Sequence, residues 1–310
     1  MLDVMANILQ TTVLYSTPLV LAAMGGLFSE RSGVVNIALE GLMTIGAFTA
    51  AVATLATGNP WLGLAAAMLS GVAFAWPHAA ASIRFKADQV VSGVAINFLA
   101  LGTSVYLVKH LYDSGQTPTV QETLKRMPIP GLDQIPVIGP SLFNAFPTTY
   151  IALVVSILSY IVLYRTPFGM RLRAVGEHPR AAETMGVNVV RMRYTAVLIS
   201  GALAALGGAG LSIAIGSEFN QNTVAGQGFI ALAALIFGKW HPFGALGAAS
   251  FFGFAVALAL MGQFFGLTQY VSSEVLNMLP YVLTILALAG FVGRAEAPAA
   301  IGKVYETDSR

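Results

Sequence analysis

Apolar residues run along this chain in blocks of about twenty, the length a helix needs to cross roughly 30 Å of hydrocarbon. Short polar turns separate the blocks. The pattern predicts membrane-spanning helices at 8–28, 34–56, 61–81, 89–111, 148–164, 194–215, 244–263 and 274–292. A ninth apolar run, "GQGFIALAALIFG" at 226–238, is too short for a straight crossing and reads as a broken or re-entrant helix. Barrel strands would show short alternating segments, which are missing from these runs. Helices satisfy their own backbone in lipid, so the expected fold is all-α. It is a polytopic bundle of about 8–10 membrane segments, forming one domain over 1–310.

Composition strengthens that picture. Hydrophobic residues make up 56% of the chain and charged residues only 10%. A soluble domain carries about a quarter charged residues. Lipid is therefore the expected surroundings, and a net charge of +2 gives no reason to expect nucleic acid. There are no cysteines, which excludes disulfides, thiol catalysis and cysteine metal sites. The first ten residues hold no Lys or Arg and lead straight into an apolar run, so a retained span is expected rather than a cleaved leader.

Lys and Arg in short loops set orientation. Six of the 16 fall between Arg165 and Arg193, which predicts a cytoplasmic loop at 165–193. Arg31, Arg84, Lys86, Lys239 and a tail at 294–310 then fall on the same side, provided that 226–238 counts as a crossing. The N-terminus and the loop at 112–147 fall outside. That loop holds six of the 14 prolines and is expected to be stiff and extended rather than a folded domain.

The search for chemistry is mostly negative. There is no G-x-x-x-x-G-K-[ST] phosphate loop and no H-E-x-x-H pair, so neither ATP binding by that route nor a metal site is expected. His78, His110, His178 and His241 are scattered among loops and span ends. No motif points to a catalytic residue. Polar residues inside spans are costly and invite a functional reading. Glu40 follows Asn36 by one helical turn, which would put both on one face. Asn97 and Gln227 are further intramembrane polar residues. The four are candidates to line or shape a translocation path; helix-to-helix hydrogen bonding is the alternative for the amides, and backbone capping at a break is the alternative for Glu40. Gly-interrupted polar segments at 32–41 and 216–228 enter the membrane in corresponding places of the two halves, as in many transporters.

Within the basic loop, "PRAAETM" reads as a helix of about two turns, with Pro179 at its start and Gly186 just past its end. Ala181, Ala182 and Met185 would share one side, flanked by Arg180 and Glu183. A short helix with a small, apolar side suits a groove on another protein. A loop that merely keeps arginines inside would explain the charge but not this pattern.

"AVGEHPRAAETMGVN" resembles the coupling segment of bacterial ABC importer permeases of the branched-chain amino acid, ribose and simple-sugar superfamily. "ERSGVVNIALEGLMTIGAF" at 30–48 is similar to that superfamily's N-terminal signature. The stretches 88–107, 225–246 and 279–295 are similar to its purine nucleoside branch, linked to basic membrane lipoproteins. The resemblance implies a type II-like importer fold with half-helices near the midplane, in the bacterial inner membrane. It implies a permease without its own catalytic site, working with a cytoplasmic ATPase that binds ATP and Mg. A second homologous permease in a heterodimer, or a second copy, and an extracytoplasmic binding protein or lipoprotein complete the expected assembly. Coupling to the ATPase would fall on Gly176, Glu177, Pro179, Arg180, Ala181, Ala182, Met185 and Gly186. The expected cargo is a nucleoside, with a simple sugar or other small polar solute as the alternative. A secondary transporter using Glu40 as a proton site is disfavoured, because only one acid reads as lying well inside a span and proton coupling needs a relay.

Overall fold

The computed structural model describes residues 2–264 and 296–306, with isolated positions 272, 275, 278 and 282 between them. Apart from those isolated positions, the expected span at 274–292 and the stretch at 279–295 lie outside the described residues. The structure is helical almost throughout. In chain order the helices are α1 (Leu2–Arg31), α2 (Leu39–Thr57), α3 (Pro60–Ala79), α4 (Gln89–Tyr112), α5 (Pro147–Arg165), α6 (Pro167–Glu177), α7 (Pro179–Thr184), α8 (Val189–Gly210), α9 (Gln227–Phe237) and α10 (Pro242–Phe264). Wider π-type turns extend α3 to Arg84 and α8 to Ile215. Among the described residues, seven helices are long and apolar enough to cross a membrane. The chain is a multi-pass membrane protein.

Local sequence sets the helix starts. Asn59, Asp88 and Asn188 each accept a hydrogen bond from a first-turn N–H, and Pro60 and Pro147 sit at first positions where no donor is lost. The second span begins five residues later than hydropathy places it. Residues 34–38 are apolar enough to belong to a helix but are irregular, because their peptide groups bond to other elements (below).

Helices α1, α2 and α8 form the centre and are largely buried, whereas most of α3, α4, α5 and α10 faces outward. The centre is built on small residues. Pure van der Waals packing drives helix association in lipid, and it strengthens as backbones approach. A Cβ on Gly208 of α8 would lie 1.9 Å from the Met43 carbonyl oxygen of α2. One on Gly71 of α3 would lie 2.2 Å from the Gly201 carbonyl of α8. Short chains at these crossings are therefore a steric requirement.

Both chain breaks lie among these helices: 32–38 between α1 and α2, and 216–226 between the extended α8 and α9. Helix α9 has 11 residues, about 16 Å, or half the hydrocarbon thickness. Trp240, just beyond α9, meets Glu30 and Arg31 at the end of α1. The chain thus returns to the end of the molecule that holds α6, α7 and the tail at 296–306, as counting 226–238 as a crossing requires.

The loop at 112–147 has more structure than a stiff connector. Two-residue strands β1 (Met127–Pro128) and β2 (Asn144–Ala145) pair antiparallel, with Met127 opposite Ala145. Ahead of them, residues 116–124 lie along the second break: Thr117, Val120 and Leu124 donate N–H to the carbonyls of Phe219, Ser217 and Ile213. Val120 and Leu124 are buried.

Gly208→Leu should lower stability by about 1–3 kcal/mol through overpacking. Gly247→Leu, where nothing lies within 4 Å, should be neutral. Thermal unfolding midpoints in detergent compare the two; equal midpoints would remove the α2–α8 approach from the causes of stability.

Candidate functional site

The candidate path residues converge on the two breaks. Irregular backbone at membrane depth survives only where protein satisfies its polar groups. At the first break, nearly every partner comes from a different element. Gly33 takes a left-handed conformation, φ +91°, and a Cβ there would lie 2.9 Å from Arg193 Nη2. Its carbonyl accepts from Gly302 N of the tail. Arg193 Nε of α8 donates to the Ser32 carbonyl at 3.2 Å. Val35 N donates to Gln89 Oε1 of α4 at 2.7 Å. The Val35 carbonyl lies 3.1 Å from His78 Nε2 of α3. A carbonyl only accepts, so Nε2 carries the proton and Nδ1 accepts from Ser92 Oγ at 3.0 Å. Asn97 of α4 clamps the end of the break, donating to the Ile37 carbonyl and accepting from Gly41 N.

Asn36 does not share a helical face with Glu40. It precedes α2, is fully buried, donates from Nδ2 to Ser200 Oγ at 2.7 Å and accepts from Ala38 N. The helix starts too late for the spacing of four to act. Glu40, in the first turn of α2, reaches the second break: Gly226 N donates to Oε1 and Gly228 N to Oε2, both at 2.7 Å. This is a backbone-capping role, but for donors of the other half. Gln227, half-buried, stands between those two glycines at the start of α9. The structure thus brings Glu40, Asn97 and Gln227 to one junction and sets Asn36 just behind it.

The basic segment forms two helices rather than one. α6 and α7 meet at His178. Gly186 follows α7 with φ +83°, the left-handed stop expected of glycine there. The expected apolar side is corrected. Ala182 is only 5% exposed and packs inward with Val175 and Val189, while Met185 is 83% exposed. A six-residue helix must lie on the body by one side to persist, and the small Ala182 allows it. Arg180, Ala181 and Met185 remain outward.

Gly176 fixes this segment to the first break: a Cβ would lie 2.1 Å from the Arg31 carbonyl. The tail seals the joint. Ala300 N donates to the Gly176 carbonyl, Ala299 N to Glu177 Oε2, and Tyr305 OH to Glu183 Oε2. Glu177 also pairs with Arg31 at 3.8 Å. Tyr160, Tyr164 and Phe243 surround His241 beside the same joint. Burial first, and the charge of Arg31 second, hold His241 below the ordinary imidazole pKa, so it is neutral near pH 7.

A family profile described as the permease component of branched-chain amino acid transport systems matches residues 8–288. The chain belongs to this family. It is 51% identical over 310 residues to the guanosine ABC transporter permease protein NupQ of Bacillus subtilis, covering 98% of this chain and 97% of that one. It is 44% identical over 305 residues to the nucleoside ABC transporter permease protein NupC of Lactococcus lactis, covering 96% of each. A second guanosine ABC transporter permease protein of B. subtilis, NupP, is 27% identical over 210 residues, covering 64% of this chain and 58% of that one.

Sequence reasoning missed three residues that hold this permease together. Glu30 sits at what reads as a polar turn, yet it is 3% exposed and accepts from Trp240 Nε1. The membrane domain therefore buries an acid in addition to holding the half-buried Glu40. Arg193 reads as a topology marker but is 2% exposed, with its guanidinium over the Tyr305 ring at 5.7 Å. His78 reads as one of four scattered histidines. Only the i−4 relation of His78 to Ser82 is local; the partners that matter lie 14 and 43 residues away.

Asn97→Leu should destabilise the permease although it makes α4 more apolar. Two buried peptide groups, Gly41 N–H and the Ile37 carbonyl, lose their partner at about 1–3 kcal/mol each. A clear drop in the thermal midpoint is expected, and an unchanged midpoint would mean that the clamp is not needed.

Proposed function

We propose that this permease subunit imports nucleosides, driven by ATP that a separate cytoplasmic ATPase binds with Mg and hydrolyses. Two relatives named for guanosine and nucleoside transport, 51% and 44% identical along almost the whole chain, support the cargo. The residues in hand hold no nucleotide-binding motif, so the energy must enter through a protein contact. Residues 165–193 and the tail face the cytoplasm of the bacterial inner membrane, and 112–147 faces the other side, where a binding protein or lipoprotein delivers the ligand. The two B. subtilis guanosine permease proteins, both similar to this chain, support a heterodimer of homologous permeases.

The observation that carries the mechanism is the seat of α7. Its outward residues Pro179, Arg180, Ala181 and Met185 meet the ATPase, while Ala182 and Gly186 set its packing and its end. Gly176 and Glu177 pass movement on, because they touch Arg31 directly and hold the tail strand that bonds Gly33. A shift of α7 therefore reaches the first break without crossing a flexible loop. The path runs at the junction of the two breaks, bordered by Glu40 and Gln227 and shaped from behind by Asn36 and Asn97.

Two measurements test this. Met185→Arg should cut ATPase binding by about tenfold or more, the size of an anchor lost from an interface centre, without changing the fold. Ala182→Trp should instead disturb the seat of α7 and lower the thermal midpoint. ATPase co-purification and nucleoside uptake by the reconstituted complex read both. Uptake that persists after ATP depletion and collapses with a protonophore would favour a secondary transporter; uptake of a free sugar in preference to nucleosides would replace the cargo.

A further inference from the structure

We infer that Glu40 is a positioning latch between the start of α2 and the start of α9, closed in this structure and opened in each transport cycle. The inference rests on the permease reading above. Both carboxylate oxygens are engaged, one by Gly226 N and one by Gly228 N, across 186 and 188 residues of chain. Charge-assisted hydrogen bonds of this kind are roughly twice as strong as neutral ones. Glu40 also lies in the first turn of α2 while it faces the first turn of α9. Two positive helix ends, each worth about half a charge, thus meet on one carboxylate.

The contact is a seal as well as a bond. A Cβ on Gly228 would lie 2.4 Å from both Cα and N of Glu40, so the two backbones touch and leave no passage between them. The two sides of the seal are held unequally. Behind Glu40, α2 is fixed by Asn97, and the break before it by Gln89, His78, Arg193 and the tail. Among the described residues, the remaining hydrogen bonds of 221–228 are local to 220–232, as from Asn222 N to Asn220 Oδ1 and from Gln227 N to the Val224 carbonyl. The bonds that tie this stretch to a distant element end on Glu40. The start of α9 is therefore the side that moves when the latch opens. Movement of α7 has a path to it through Gly176, Gly33 and the first break.

The test places one cysteine at Gln227 in the otherwise cysteine-free permease. It is assembled in nanodiscs with the ATPase and permease subunits that co-purify with it. The labelling rate by a hydrophilic maleimide is measured at rest and with the ATPase trapped by vanadate. Slow labelling at rest and at least about tenfold faster labelling when trapped are expected, the equivalent of losing a hydrogen bond to a charged group. Glu40→Gln keeps one acceptor and turns an NH2 toward the second N–H, so it should label fast at rest and lose most uptake while still binding the ATPase and hydrolysing ATP. Glu40→Asp keeps the charge and should regain part of the uptake. Should Glu40→Gln fail to assemble, Gly228→Ala decides: it parts the backbones with the carboxylate intact and should also label fast at rest. Equal labelling at rest and when trapped, or slow resting labelling in the variants, overturns the latch. ATP-independent uptake by the unaltered chain would sink the permease reading instead, whereas the resting labelling rates of the variants need no ATPase and still report on the latch.

Discussion

Every peptide group at membrane depth needs a partner, and the architecture of this permease follows from that need. A continuous helix meets it alone. The two breaks cannot, so they draw side chains from the helices around them. The first break collects His78 from α3, Gln89 and Asn97 from α4, and Arg193 from α8. Each is a costly residue to place at membrane depth, and each meets a backbone group that would otherwise be orphaned, although Gln89 Nε2 and Arg193 Nη2 remain without a hydrogen-bond partner among the described residues. Removing the breaks would make most of these polar residues unnecessary.

The same constraint explains how the two ends of the molecule differ. At the basic end, the tail and Arg193 satisfy backbone at Ser32 and Gly33. At the opposite end, the 116–124 segment satisfies backbone at 213–219. Each break is thus covered by a stretch of chain distant in sequence, and among the described residues Glu40 carries hydrogen bonds from the first side to the second. The first break is held by many bonds, whereas the distant hydrogen bonds of 221–228 end on Glu40, so the latch proposed above sits where movement would break few bonds. Close helix packing elsewhere, with backbones in contact at Gly208 and Gly71, resists deformation.

Helices α6 and α7 join this framework by steric means. Gly176 on the Arg31 carbonyl leaves no slack, and the inward Ala182 seats α7 on α6 and α8. Charge contributes in a different way from the one a basic loop implies. Arg180 and Arg191 are exposed, whereas Arg193 is buried and serves the backbone.

The sequence by itself determined the fold class, seven of the spans, the two broken segments, the stop at Gly186 and the family. All of these depend on local or additive properties: runs of apolar residues, charge in loops, and the φ that only glycine takes easily. It also marked Glu40, Asn97 and Gln227 as unusual, because a polar residue in an apolar run needs no neighbours to be noticed. Only the tertiary structure decided what they do. Asn36 and Glu40 read as one helical face, but helix α2 starts after Asn36 because the peptide groups before it bond to other elements. Ala182 and Met185 read as one docking side, but α7 must spend Ala182 on the body. Glu30, His78 and Arg193 carry no local signal, since their partners lie up to 210 residues away. Which donor meets which acceptor across a membrane bundle depends on helix approach, and helix approach is fixed by the packing of the whole chain.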